Sequence, residues 1–170
     1  EKVLLLARQI KGRSDLLTEM DDHFTNATDG DKAVCLAAVN HIAKDDPAFV
    51  RSHIDFVLRQ LDSKSAQVKM EACEIIASAS KAYPEQVAKA IPRLMEITKD
   101  EASIVRWGAA FALTEIAKND INPKTRRELI RFFKAEAKKE KLGTVRSLYL
   151  DALAVLVKPK PQKTEGTETA

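Results

Sequence analysis

Four stretches of this chain echo one another at nearly constant spacing, and that repetition restricts the fold more than any single residue does. Pro47 and Pro84 stand 37 positions apart, as do Val68-Lys69 and Val105-Arg106, and Val145-Arg146 follows Val105-Arg106 by 40. Working back by 37, Asp31-Lys32 takes the corresponding place in a first, atypical unit. A period in this range marks an array of supersecondary units, each unable to bury its apolar face alone and therefore stacked on the next.

The clearest copy is Glu101 to Lys118, EASIVRWGAAFALTEIAK. Read as a helix, it places Val105, Ala109, Ala112, Leu113 and Ile116 on one apolar stripe at the i, i+4, i+7, i+8, i+11 spacing. Ala110 and Ala117 form a flank small enough for close approach by another helix. Trp107, Phe111, Thr114 and Lys118 fall on the opposite side. A helix with two apolar faces needs two neighbours, or one neighbour and a ligand.

The chain in order reads as alternating short and longer helices. Glu1 to Lys11 is either a capping helix or the second half of a truncated repeat, ended by Gly12 and Arg13, with Ser14 a candidate N-cap. Leu16 to Phe24 and then Asp31 to Ala43 follow, separated by the polar loop TNATDG. Pro47 and Pro84 each open a helix where a missing N–H matters least, and Pro92 falls inside the second of these, where it should bend the axis. Short polar turns lead into QVKMEACEIIASA and IVRWGAAFALTEIA. Asn122-Pro123 starts a helix reaching about Lys139, and Gly143-Thr144 introduces VRSLYLDALAVL. After Val157, KPKPQKTEGTETA has no apolar anchor and reads as a polar extended or disordered tail, residues 158–170.

Composition agrees with a helical protein. Of 170 residues, 45% are apolar and only 5% aromatic, with 5 glycines, so Ala, Leu, Glu and Lys dominate. No apolar run approaches the roughly 18 residues of a membrane span, and Val3 to Ala7 lacks the length and cleavage site of a signal peptide. These features point to a cytoplasmic protein with no membrane partner. The first residue is not Met, which suggests a trimmed or partial chain. Cys35 and Cys73, the two cysteines, have no CxxC partner and read as buried reduced thiols. Net charge is only +3, but acids gather from Asp15 to Asp31 and bases from Lys124 to Arg146. The molecule should be electrically polar end to end, and complementary ends make self-association conceivable between copies.

Paired helices at this period, Pro at the head of the first and Val-Lys/Arg opening the second, resemble HEAT repeats over roughly Asp15 to Val157. The resemblance implies an all-α fold, a right-handed α-solenoid of about four antiparallel helix pairs behind an N-terminal cap helix, with residues 1–157 one HEAT-like domain. First helices would form its convex side and second helices its concave side. It also implies turn pairs between an acid and the Arg of the Val-Arg step, here Asp100 with Arg106 and Glu140 with Arg146. Armadillo repeats fit less well, because they add a third short helix for which the sequence shows no room.

Signals of chemistry are thin. His23, His41 and His53 are scattered outside any metal-ligand spacing, no Gly-rich phosphate loop or GxSxG elbow is present, and no cofactor or metal is expected. The concave stripe is the stronger lead. Positions corresponding to Trp107 and Phe111 are Met70 and Glu74 one unit earlier, Ser147 and Asp151 one unit later, and Ala33, Ala37 and Asn40 in the first unit. Trp107, Phe111, Met70 and Ala77 would form an apolar spot rimmed by Glu74, Lys81, Lys118 and Asp151, the layout of a binding hot spot. A second lead is the stripe Arg127, Arg131, Lys134, Lys138 and Lys141, spaced 4, 3, 4, 3. The expected function is a non-catalytic scaffold or adaptor holding a protein or peptide in the concave groove. The alternative is nucleic-acid binding through the basic stripe, and the third reading is a HEAT-like enzyme such as a DNA glycosylase or chromophore lyase.

Overall fold

The computed structural model describes residues 1–13, 15–119 and 121–157. Ser14 and the tail 158–170 lie outside the described residues. The helices are α1 Lys2–Gly12, α2 Leu16–Phe24, α3 Asp29–Asp45, a 3₁₀ segment Pro47–His53, α4 Ile54–Gln60, α5 Ala66–Ala79, α6 Pro84–Ala88, α7 Ile91–Ile97, α8 Ser103–Ala117, α9 Pro123–Lys139 and α10 Gly143–Val157. No strand occurs among the described residues.

Local chemistry sets most of the boundaries. The Thr28 hydroxyl oxygen accepts from the Asp31 N–H at 3.2 Å, Ser65 Oγ from Val68 at 3.4 Å, and Asn122 Oδ1 from Thr125 at 2.9 Å, capping α3, α5 and α9. Prolines 47, 84, 92 and 123 all sit in first turns, where the lost donor is an orphan anyway. Pro92 does more than the bend expected of it. The outer helix of its unit stops at Ala88 and restarts at Ile91, because the Pro92 ring would clash with the carbonyl of Ala88 four residues back. The preceding unit is divided too, at His53, whose φ of −117° and ψ of 12° separate the 3₁₀ segment from α4. That break has no Pro or Gly to announce it. His53 Nε2 lies 3.4 Å from Thr18 Oγ1 on α2, which ties the break to the neighbouring unit.

The units form two layers. In the inner layer α1, α3, α5, α8 and α10 lie side by side, each packed on the next, while the 3₁₀ segment with α4, α7 and α9 pack outside α5, α8 and α10 respectively. The N-terminal cap helix thus takes the place of an inner, second helix: α1 packs on α3 as α3 packs on α5. Between the layers runs one continuous core that includes Leu36, Val57, Val68, Leu94, Leu113, Leu129, Phe133 and Tyr149. The inner helices approach closely because their flanks are small. A Cβ built on Gly108 of α8 would stand 3.2 Å from Cys73 Cβ and 3.5 Å from Met70 Cγ on α5.

Close lateral packing corrects two assignments. Thr114 does not face outward beside Phe111; it is buried, and its hydroxyl donates toward Ala110 O at 2.8 Å and Leu148 O of α10 at 3.2 Å. Ala77 is buried as well and adds nothing to an exposed spot. Both lie on the α5 or α8 flank that meets the following inner helix, a neighbour that helix periodicity alone does not reveal. Of the cysteines, Cys73 is buried and its thiol is pushed up to about 12 by desolvation, whereas Cys35 is only half-buried.

Candidate interaction groove

After the flanks of α8 are packed against α5 and α10, one strip remains in solvent: Ile104, Trp107, Phe111, Glu115 and Lys118, spaced 3, 4, 4, 3. Trp107 and Phe111 are half-buried, their inner edges on the core, and their rings stack with centroids 5.1 Å apart and planes 12° from parallel. Ile104, which the sequence reading did not single out, is 42% exposed and extends the apolar strip by a turn toward the start of α8. Met70 is half-buried on α5 and its Cγ borders Gly108, so it joins the same surface from the side. Three apolar residues in one exposed row, two of them stacked aromatics, are held by a helix whose other sides are already packed.

The polar rim is differentiated. Glu74 of α5 accepts from Lys44 Nζ and Asn40 Nδ2 of α3, both at 2.8 Å. Burial disfavours its charge, but these bonds outweigh burial and hold its carboxyl below the ordinary range. Asn40 also donates to the buried Glu71 at 3.0 Å, and Gln67 Nε2 donates to the other Glu71 oxygen at 2.9 Å. Glu74 is therefore a strut between α3 and α5 before it is a contact for any partner. Lys118 bonds Glu115 within its own helix. Asp151 and Lys81 are exposed and form no ion pair among the described residues.

Of the expected turn pairs, Arg106 meets Asp100 within its unit through the Asp100 backbone carbonyl, while the ion pairs of the Asp100 and Glu140 carboxylates run to neighbouring units. The Asp100 carboxylate takes Lys69 of the preceding unit, while its Oδ1 accepts from the Ala102 N–H at 2.9 Å at the start of α8. Arg106 uses Nη1 to bond the backbone carbonyls of Asp100 and Glu101 at 3.1 and 3.0 Å, and Nε to reach Glu140 of the next unit at 3.2 Å. Arg146 is exposed and outside this pairing. Neighbouring packed helices stand roughly 8–10 Å apart, a distance that an extended Lys or Arg spans. Burial again opposes ionisation of Asp100 and Glu140, and their hydrogen bonds and cationic partners again win, leaving both carboxyls below their usual range. On the outer layer Arg93 Nε reaches Asp62 at 2.7 Å, another bridge between units.

The second candidate surface is α9. Leu129 and Phe133 are fully buried, and Arg127, Arg131, Lys134, Lys138 and the following Lys141 are all exposed. None of these five cations forms an ion pair among the described residues. Two open clefts of about 430 and 380 Å³ that share Pro84 and Glu85 lie elsewhere, along the loops that lead into the outer helices. Among the described residues no group of three or more His, Cys, Asp or Glu converges as metal ligands would, and no helix is long and apolar enough to cross a membrane.

With two layers, an inner row of helices and outer helices divided into short pieces, the architecture can be compared with known proteins. No family model and no curated protein matches the chain. Among solved structures it is similar to a designed armadillo repeat protein in complex with the peptide (KR)4, with a TM-score of 0.72 and 19% identity, over 91% of this chain and 72% of the other. This chain is a helical-repeat solenoid. At that identity the likeness is one of fold, and it does not single out HEAT repeats. The solenoid has room for what the sequence was read as lacking. In both middle units the outer element is two short helical pieces ahead of the long inner helix, three pieces in all.

Proposed function

We propose that this solenoid is a non-catalytic scaffold that holds an extended protein or peptide segment across its inner face, anchored on Ile104, Trp107 and Phe111 with Met70 beside them. The observation that carries the reading is the stacked, half-buried Trp107–Phe111 pair continued by the exposed Ile104. Lateral packing has already been satisfied around α8, so these side chains are left over from folding, and rigid aromatics in a polar rim are the groups that supply most binding energy in interfaces. Glu74, Lys118 and Asp151 form the rim; Asp151 carries the charge free to meet a partner, since Glu74 and Lys118 are paired internally. The designed solenoid of similar fold was solved with a peptide, which supports the same use of this architecture. A cytoplasmic adaptor role accords with two cysteines that form no disulfide.

Trp107 is the sole tryptophan, so binding at the groove has its own optical reporter. Selection of displayed peptides on the intact protein, followed by titration of the winners, should shift Trp emission, and Phe111→Ala should weaken them by about 2 kcal/mol, roughly 30-fold. Peptides that bind the Trp107→Ala, Phe111→Ala variant as tightly as the parent place the site elsewhere and remove this reading.

A further inference from the structure

We infer that the outer face of α9 is a second interaction surface, independent of the groove, that grips the phosphodiester backbone of a nucleic-acid duplex. Arg127, Arg131, Lys134 and Lys138 recur at the 4, 3, 4 spacing of one helix face, diametrically opposite the buried Leu129 and Phe133. The row is about 16 Å long at 1.5 Å per residue and ends with the helix, since the chain turns extended at Glu140 and Lys141 borders a cleft with Arg106, Glu136 and Lys139.

What separates this row from an ordinary solvated face is the treatment of its charge. Arg13, Lys44, Arg59, Lys69, Arg93, Arg106, Lys118 and Lys139 stand in ion pairs, and the cations that form none among the described residues, such as Lys32, Lys64, Lys81 and Lys89, are spread over several elements, whereas the row gathers four on one helix face. The acids of α9 and the residue after it are drawn off the row, Glu136 to Lys139 and Glu140 to Arg106, and Glu128 lies on a different side of the helix. Like charges three and four residues apart repel, so the row is slightly unfavourable for the isolated helix and is relieved by an anion outside the molecule.

The shape of the row selects the kind of anion. It is one side chain wide and straight, and it carries no apolar residue of the sort that sinks into a bilayer. Other helices carry exposed acids on or beside them, Asp22 on α2 outside any ion pair among the described residues, and Asp15, Glu19, Asp62 and Glu96 paired with Arg13 or Arg93. A flat anionic surface would meet those acids together with the bases, whereas a rod can lie along α9 alone. A duplex presents one charge per about 1.7 Å of axis, enough phosphates along 16 Å to meet every cation in the row. No aromatic or amide side chain interrupts the row, so contact is with the backbone and carries no base sequence.

Fluorescence anisotropy with labelled duplex DNA and duplex RNA of arbitrary sequence tests this, with phosphatidylserine-containing vesicles measured alongside. With four phosphates neutralised, affinity for a duplex should fall about 150-fold between roughly 50 and 200 mM salt. Arg127→Gln, Arg131→Gln, Lys134→Gln and Lys138→Gln together should abolish binding and flatten the salt slope. Trp107→Ala should leave it intact, so that failure here and failure of the groove are told apart. A charge-preserving control, Arg127→Lys with Arg131→Lys, should bind like the parent and guards against a folding artefact. A difference between the two duplexes would assign the source of the backbone. No duplex binding at 50 mM salt, equal binding by the four-Gln protein, or binding to vesicles but not duplexes overturns the inference.

Discussion

α8 and α9 are neighbours in sequence and near equals in length, yet they offer solvent opposite things. α8 lies in the inner layer with α5 and α10 on its flanks and α7 behind it, and it buries Val105, Gly108, Ala109, Ala110, Ala112, Leu113, Thr114, Ile116 and Ala117. α9 is an outer helix and buries Leu129 and Phe133. An inner helix has one narrow strip left over, so large apolar groups on that strip are surplus to packing. An outer helix has most of its circumference in water, so charge there is ordinary and becomes informative only when it is segregated and unpaired. The comparison shows that position in the layer decides how a surface residue should be read.

The sharpest way to break this comparison is to attack the anchoring of α9. Phe133→Ala should cost about 3–5 kcal/mol in urea unfolding, because it removes one of the two fully buried side chains of α9. If the loss is far smaller, α9 is held by something other than its buried face. Gly108→Val tests the crowding of α8: with 3.2 Å available to a Cβ, a branched side chain should destabilise by about 1–3 kcal/mol. A neutral result would mean the inner helices can separate.

The bridges between units give a pH dependence. Glu74, Asp100 and Glu140 have folded-state carboxyls below their unfolded values, so their stabilisation is complete above the unfolded range near 4 and is lost as pH falls through the folded values. Melting temperature should therefore decline as pH drops below about 4.5, and Glu140→Gln should shrink that decline. At the small end, the four-Gln version of α9 should change stability by no more than about 0.5 kcal/mol, since these side chains are exposed and touch no partner. A marked destabilisation would show that the row serves the fold.

Much of the architecture was legible because it is written in local signals. The 37-residue period, the capping Asn122 before Pro123 and the end of α9 at Lys139 all depend on residues close in sequence. The division at His53 was not legible, since no breaker stands there and the contact with Thr18 is long-range. The turn pairs misled for a related reason. Asp100 is six residues from Arg106 but is brought against Lys69 by stacking of units, and spacing along a chain cannot rank the two. On the exposed strip of α8, Trp107 and Phe111, with Met70 beside them, share a register legible in the sequence, whereas the exposure of Ile104 depends on which flanks of α8 the neighbouring helices cover.

The central claim is that Trp107 and Phe111 are left over from folding. Melting temperature and peptide affinity measured on the same Trp107→Ala, Phe111→Ala preparation test it directly. The account predicts a melting temperature within a few degrees of the parent together with loss of peptide binding. A large fall in melting temperature with peptide affinity retained would make the stacked pair a piece of the core and contradict it.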